Sequence, residues 1–486
     1  MSKEITNLEP KLLWEHFYSL TQIPRPSKKE ERITQFIKEF GEGLNLETKV
    51  DHVGNVLIRK PATKGYEDRR TLILQGHIDM VPQKNNDIKH DFEKDPIDAY
   101  IDGDWVTARG TTLGADNGMG VAATMAVLSD NTLEHGPIEG FFTVDEETGM
   151  TGAFEVTDDF LAGDILLNLD SEDEGELYIG CAGGVDTIAE FQNKRANTPA
   201  GVKAYKILVT GLKGGHSGLD INLGRGNAIK LLNRLMWESA KQHDLLVSEY
   251  NSGDIRNAIP REGDAIVVVP ETKAAEFESF VAEFNTTAKA EISTIDPGLE
   301  ISVAPVATPK DIMEKESQKN LLNAIYGVPN GVFSMVAEIP DVVETSTSMG
   351  VIKFDNDKIT VITLQRSSVD SRKTDLGNMI RSIFEQAGAE VEHSGAYPGW
   401  NPDVNSPILK SMKEVYEQEF GKTPAVKVIH AGLECGLIKS KYPSMDAISF
   451  GPTIRFPHSP DEKVNIATTV KFWNFLIYTL KNAPKK

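Results

Sequence analysis

Leu72-Ile73-Leu74-Gln75-Gly76-His77-Ile78-Asp79-Met80-Val81-Pro82 decides how the rest of the chain is read. Residues 71–75 are rich in β-formers and read as a buried strand that stops at Gly76 and hands over to a histidine and a carboxylate. Side chains alternate along extended backbone, so His77 and Asp79 share a face. Asp79 can then contact a ring nitrogen of His77 or sit beside the same metal. Open α/β sheets present their chemistry at the carboxyl ends of strands in this way.

Working outward, the pattern recurs. An apolar run over 138–144 ends in Asp145-Glu146-Glu147, and another over 164–169 ends in Asp170-Ser171-Glu172. Adjacent carboxylates at a strand end are costly unless cations or protons compensate them. Between these strands, Arg109-Gly110-Thr111-Thr112-Leu113-Gly114-Ala115-Asp116-Asn117-Gly118-Met119-Gly120 leads into an apolar, alanine-rich helix over 121–128. The loop has neither the Gly-Lys-Ser/Thr of a P-loop nor a dinucleotide fingerprint. It places Asp116 at a helix start, where main-chain N–H groups favour the ionised form, and a plain N-cap aspartate fits it as well. Near the carboxyl terminus a strand over 446–450 precedes a loop containing His458-Ser459-Pro460-Asp461-Glu462, and a helix over 466–480 follows.

Upstream, helical spacing covers 9–20 and 28–40, with Ser27 and Glu30 patterned as a capping box. Residues 47–50 and 55–58 read as a strand pair. From about residue 184 the character changes. A strand over 203–210, the turn-like Gly214-Gly215-His216-Ser217-Gly218, helices over 226–240, 272–292 and 375–387, and β-like runs over 264–269, 351–354 and 359–364 suggest a separate α+β domain. The expected organisation is an α/β catalytic domain, a mixed sheet flanked by helices, over 1–184 and 398–486, with an inserted domain over 185–397.

The chain has 486 residues, 40% hydrophobic and 25% charged, enough for a large core. Its net charge of −21 argues against nucleic acid and favours a cationic or zwitterionic small substrate. Two cysteines, Cys181 and Cys435, form no C-x-x-C pattern. No stretch reaches membrane-spanning length and the polar amino terminus has no apolar core, so a cytoplasmic protein without a membrane partner is expected.

His77, Asp79, Asp116, Glu146, Glu147, Asp170 and His458 together form a nitrogen/oxygen donor set without thiolate. It suits zinc, manganese or cobalt. One histidine and one terminal carboxylate per ion, with a shared carboxylate, would build a paired-metal site of the aminopeptidase type. Spacing alone does not assign these roles.

The motifs Gln-Gly-His-Ile-Asp-Met-Val (75–81), Leu-Gly-Ala-Asp-Asn-Gly (113–118), Asp-Glu-Glu-Thr-Gly (145–149), Gly-Gly-His-Ser-Gly (214–218), His-Ala-Gly-Leu-Glu-Cys-Gly (430–436) and His-Ser-Pro-Asp-Glu (458–462) run in order along the chain. In them the chain resembles the co-catalytic metallopeptidase and amidohydrolase family of aminoacylase, carnosinase and glutamate carboxypeptidase, with the strongest likeness to its aminoacyl-histidine dipeptidase branch. The resemblance implies two zinc ions per subunit, with cobalt or manganese as substitutes. Asp116 would bridge them, His77 and Asp170 completing one site and Glu147 and His458 the other. It further implies that Asp79 orients His77, that Glu146 is the general base for a metal-bridging water, and that the Asp116–Asn117 peptide is cis. The inserted domain would be a lid and homodimerisation module. Its His216 would stabilise the oxyanion, and Asn257 and Arg366 would hold the substrate's terminal carboxylate, with Gly432 as a wall beside it.

The implied reaction is hydrolysis of unblocked dipeptides, preferentially Xaa-His including β-Ala-His. An amidase acting on N-acyl amino acids would share every metal residue, and a dead peptide-binding scaffold would not need Glu146. Read without the resemblance, Gly214–Gly218 is also a simple turn and Arg366 a surface ion pair. His430 and Glu434 fit pocket-lining and structural roles alike. A Ser217 nucleophile is disfavoured by the missing Gly-x-Ser-x-Gly elbow.

Overall fold

The computed structural model describes residues 3–355 and 357–486. The strand Leu72–His77 is buried at every position. It runs parallel to Ile138–Thr143 on one side and Ile165–Asn168 on the other. A parallel strand covered on both faces has no solvated side, which explains why these segments lack polar alternation. Because the three strands are parallel, their carboxyl ends open on one edge, where His77, Asp145–Glu147 and Asp170 follow. They are the middle of an eight-stranded mixed sheet ordered Glu47–Val50, Val56–Lys60, Ile138–Thr143, Leu72–His77, Ile165–Asn168, Asp446–Ser449, Glu176–Cys181 and Ala425–Ile429.

The helix Ala115–Ser129 connects two of these strands and is buried along almost its whole length. Its alanines and glycines let it lie close to the sheet. Gly76 shows how close: a Cβ there would come within 2.2 Å of Asn117 Oδ1. At the other end of the helix the Lys60 ammonium donates to the carbonyls of Val127 at 2.9 Å and Asp130 at 2.6 Å. It satisfies acceptors that the last turn leaves open and favours the negative end of the helix dipole.

A four-stranded antiparallel sheet, ordered Ile454–Arg455, Lys463–Asn465, Trp105–Ala108 and Ala99–Asp102, completes this part. It sets the loop over 456–462 beside the one leading to Asp116.

The chain divides into two compact units: Met1–Cys181 with Trp400–Val428 and Leu433–Lys486, and Ala182–Gly399 with Ile429–Gly432. The second unit is an antiparallel sheet ordered Glu300–Pro305, Val202–Thr210, Gly263–Pro270, Leu246–Ser252, Val343–Phe354, Lys358–Ser367, Gly183–Gln192 and Glu390–Tyr397, with Gly331–Met335 added beside Val343–Phe354. Residues from the helices Ala228–Gln242, Ala274–Ile292, Lys315–Gly327 and Asp370–Gln386 join it in one apolar cluster around Tyr205, Tyr250, Phe277 and Phe384. The α/β class with a mixed sheet and an α+β insertion is as the sequence led one to expect.

The Ser27–Glu30 capping box is not formed. The helix begins at Glu31, with no side-chain cap. Ser27 Oγ instead donates to Asp79 Oδ2 at 2.8 Å, and Glu30 Oε1 accepts from the N–H groups of Lys28 and Asp145. Tertiary partners have taken both side chains.

Candidate active site

Asp116 lies between two histidines. Its Oδ1 is 3.1 Å from His77 Nε2 and its Oδ2 is 3.2 Å from His458 Nε2. His77 Nε2 is also 3.4 Å from Asp170 Oδ1, and His458 Nε2 is 3.0 Å from Glu147 Oε2. Two groups of ligand atoms result, His77–Asp116–Asp170 and Asp116–Glu147–His458, each lying within 4.8 Å of one another and sharing Asp116. Glu146 falls in a further group with His77 and Glu147. The Asp116–Asn117 peptide is cis, and His458 has a positive φ of 60°.

This concentration of acid calls for positive charge. Burial pushes the Asp170 carboxyl up to about 7, and it drives Glu146 well above the usual carboxylate range. For His77, burial acts to lower the pKa, and the carboxylates of Asp170, Asp116 and Asp79 outweigh it. Hydrogen bonds to Asp116 and Glu147 raise His458 to about 11. Both imidazoles are thus drawn toward the cationic form, the role divalent ions would take over. Glu147 Oε1 and Asp170 Oδ1 are buried and make no hydrogen bond. Buried, unsatisfied carboxylate oxygens on residues set beside imidazole nitrogens fit a nitrogen/oxygen-ligated cation well.

Asp79 is fully buried beneath this cluster. Its Oδ1 lies 3.2 Å from His77 Nδ1, at ion-pair distance but outside hydrogen-bond geometry. Its carboxylate also accepts from the N–H groups of Glu146 at 3.1 Å and Glu147 at 3.3 Å. One side chain therefore ties the end of Leu72–His77 to the short helix Glu146–Gly149.

Of the two roles the sequence left open for Glu434, the structure shows hydrogen bonding, and it adds Arg25 and Glu462 to the network. Buried Glu434 accepts at Oε2 from Gln75 Nε2 at 2.6 Å and from the Thr143 hydroxyl at 2.8 Å, while its Oε1 has no hydrogen-bond partner. Arg25 and Glu462 brace the loop carrying Asp116. Their partners are main-chain atoms far away in sequence, so only the Glu462 motif itself gave any signal.

In the second unit, His216 Nδ1 accepts from the N–H groups of Gly218 at 3.2 Å and Leu219 at 3.0 Å. The neutral ring therefore carries its proton on Nε2, and burial and the Arg366 charge lower its pKa to about 4. Arg366 is buried. Its Nη1 donates to the Tyr397 hydroxyl at 2.8 Å, and its Nη2 lies 3.5 Å from His216 Nε2. Two donors thus converge. Asn257 is half-buried, and its carbonyl accepts from Ser217 N–H. Gly432 ends the segment Ile429–Gly432, where Ala182 N–H bonds the carbonyls of Ile429 and Ala431 and His430 Nε2 meets Ser346 Oγ at 2.7 Å.

A mixed α/β sheet whose parallel strand ends, with the loop carrying His458 beside them, gather two histidines and several carboxylates defines a metal-dependent hydrolase. The chain belongs to the family described as Peptidase family M20/M25/M40, whose sequence profile matches residues 73–482. It is 45% identical over 483 residues to the cytosol non-specific dipeptidase of Escherichia coli, covering 99% of this chain and 100% of that protein. The crystal structure of aminoacylhistidine dipeptidase from Vibrio alginolyticus superposes with a TM-score of 0.94 at 47% identity, covering 99% of this chain and 98% of that one. Aminopeptidase PepT from Bacillus cereus shares the fold with a TM-score of 0.62 at 16% identity, over 98% of this chain and 99% of the other.

A cation that binds only the folded protein stabilises it by mass action, by about 2.7 kcal/mol at a hundredfold excess over Kd. Stripping the protein with a chelator is expected to lower its melting temperature, and adding zinc to restore it. Asp116→Asn, which weakens both donor groups at once, should abolish most of that difference. A melting curve indifferent to metal would refute a cation site here.

Proposed function

We propose that the chain is a metallo-dipeptidase that cleaves unblocked dipeptides, Xaa-His substrates such as β-Ala-His among them. The observation that carries this reading is the pair of donor groups sharing Asp116. His77, Asp116 and Asp170 would hold one divalent ion, and Asp116, Glu147 and His458 the other. Zinc is the favoured metal, with cobalt or manganese as substitutes, because imidazole and carboxylate donors suit all three. Two relatives that align over nearly the whole chain are named as dipeptidases, one non-specific and one for aminoacylhistidine, which supports both the reaction and the inclusion of Xaa-His.

Bound ions supply Lewis acidity at the scissile carbonyl and lower the pKa of the attacking water. Glu146 acts as general base: its carboxylate takes a proton from that water and returns it to the leaving amine nitrogen. Asp79 holds His77 in place and, through the N–H groups of Glu146 and Glu147, holds the base as well. His216 offers its Nε2–H to the developing oxyanion. Arg366, whose guanidinium fork is suited to it, binds the terminal carboxylate together with Asn257, and Gly432 forms a wall on that side. Residues 1–184 and 398–486 form the catalytic part, and 185–397 the substrate-recognising and dimerising part. The enzyme works in the cytosol, consistent with the Escherichia coli relative's name; no helix among the described residues is long and apolar enough to cross a membrane.

Chelator-stripped protein should fail to hydrolyse L-carnosine and regain activity on zinc addition. Metal binding without cleavage of Xaa-His dipeptides, together with cleavage of N-acyl amino acids, would replace the dipeptidase reading with the deacylase one. Glu146→Gln should bind metal normally and lose about 10²- to 10⁴-fold in kcat; full turnover would exclude it as the base. A homodimer is expected, supported by the exposed apolar side chains of Leu219, Leu223, Val332, Phe333 and Met335 in the second unit. A monodisperse, fully active monomer in light scattering would exclude the dimer.

A further inference from the structure

Glu462 is a buried carboxylate, 2% exposed, whose oxygens accept from main-chain N–H groups. Its main chain is fixed. It directly precedes the strand Lys463–Asn465, which pairs with Trp105–Ala108, and its carbonyl accepts from Thr107 Oγ1 at 2.8 Å. From that anchor Oε2 accepts from the N–H groups of Leu113 at 2.8 Å and Gly114 at 3.0 Å, and Oε1 from those of Ala115 at 2.7 Å and Asp116 at 3.2 Å. An ionised carboxylate has about four acceptor sites, so four consecutive main-chain donors use them all. These donors open the helix Ala115–Ser129, where negative charge is favoured and N–H groups otherwise go unpaired.

Arg25 closes the other side of the loop. Its Nη2 donates to the Gly114 carbonyl at 2.5 Å, and its Nη1 donates to the carbonyls of Ile78 at 3.0 Å and Asp79 at 2.8 Å. Gly114 has φ +71°, and a Cβ there would come within 2.6 Å of the guanidinium, so the brace admits only glycine. The loop held in this way carries Asp116, and the loop that supplies Glu462 also carries His458.

We propose that Glu462 is a positioning residue of the metal centre, whose carboxylate clamps the 113–116 main chain and thereby sets Asp116 against both His77 and His458. The proposal rests on the metal reading above. It follows from a geometric requirement: a shared carboxylate serves two ions only if both its oxygens are placed to within a fraction of an ångström. A flexible loop cannot do that, whereas four hydrogen bonds to one rigidly anchored carboxylate can. Because Glu462 and His458 lie on one short loop, the clamp also fixes the distance between Asp116 and the ligand it shares with Glu147.

The test is Glu462→Gln, which keeps the volume and replaces one acceptor oxygen by an NH2 that faces main-chain donors. Zinc affinity would be measured by chelator competition alongside the wild type, with kcat and KM for L-carnosine at saturating zinc. The expected result is a folded protein by circular dichroism with metal affinity reduced about 10- to 100-fold. Its kcat should fall by about tenfold or more with KM changed by less than about threefold, the split expected when bound substrate meets a misplaced centre. A purely structural role would lower the melting temperature of the metal-free protein and leave affinity and kcat near wild type, and that outcome overturns the proposal. Wild type that binds no metal would overturn the metal reading itself, and the clamp with it. Should E462Q not fold, Glu462→Asp keeps the charge on a shorter arm that cannot reach all four donors. Undiminished metal affinity in E462D, or rapid hydrogen exchange of the 113–116 amides in the metal-free wild type, would equally refute the clamp.

Discussion

Carboxylates brought together away from water repel one another unless something positive lies between them, and the first unit is built around that constraint. His77, Asp116, Glu147 and Asp170 are largely withdrawn from solvent, with side-chain exposures of 1%, 12%, 4% and 9%. No single strand could bring them together. Three parallel strands that end on one edge, and a helix that starts beside them, can. The cost of that convergence is met by cationic imidazoles or by metal, and the same cost makes the site selective for a charged guest. A repacking that moved one strand end would leave a buried carboxylate without compensation.

Around the ligands, the supporting contacts run mainly to backbone. Asp79 takes the N–H groups of Glu146 and Glu147, and Arg25 takes the carbonyls of Ile78, Asp79 and Gly114. Main-chain atoms move less than side-chain ends, so each such bond locates a whole turn instead of one rotamer. The loops are therefore held without regular secondary structure, which leaves their side chains free to face the chemistry.

What could be read from the sequence follows from this division. Strand ends were legible because burial on both faces makes a continuous apolar run and the candidate ligand comes next in the chain, as at Gly76-His77 and Leu169-Asp170. The capping box at Ser27 was misread because its local pattern was genuine but a stronger acceptor, Asp79, lay 52 residues away. The hairpin Ala99–Asp102 and Trp105–Ala108 sits in a stretch crowded with aspartates, which hides its strand pattern. Glu462 stood in a quoted motif, yet its four partners are N–H groups, which every residue except proline has. A side chain bonded to backbone leaves no complementary letter elsewhere in the sequence.

The two adjacent acids Glu146 and Glu147 illustrate how neighbours acquire different chemistry. They leave the same short turn, with their N–H groups on opposite oxygens of Asp79. Glu147 meets an imidazole, its Oε2 lying 3.0 Å from His458 Nε2. Burial pushes the Glu146 carboxyl upward; the nearby His77 charge opposes the shift, and the charges of Asp170 and Glu434 add to it. A ligand must stay ionised and a general base must be able to accept a proton and give it back. Neighbouring carboxyls divide those tasks only when their surroundings separate their proton affinities. The turn after Ile138–Thr143 gives the two acids different surroundings, Glu147 pairing with His458 and the proposed base, Glu146, having its carboxyl raised by burial.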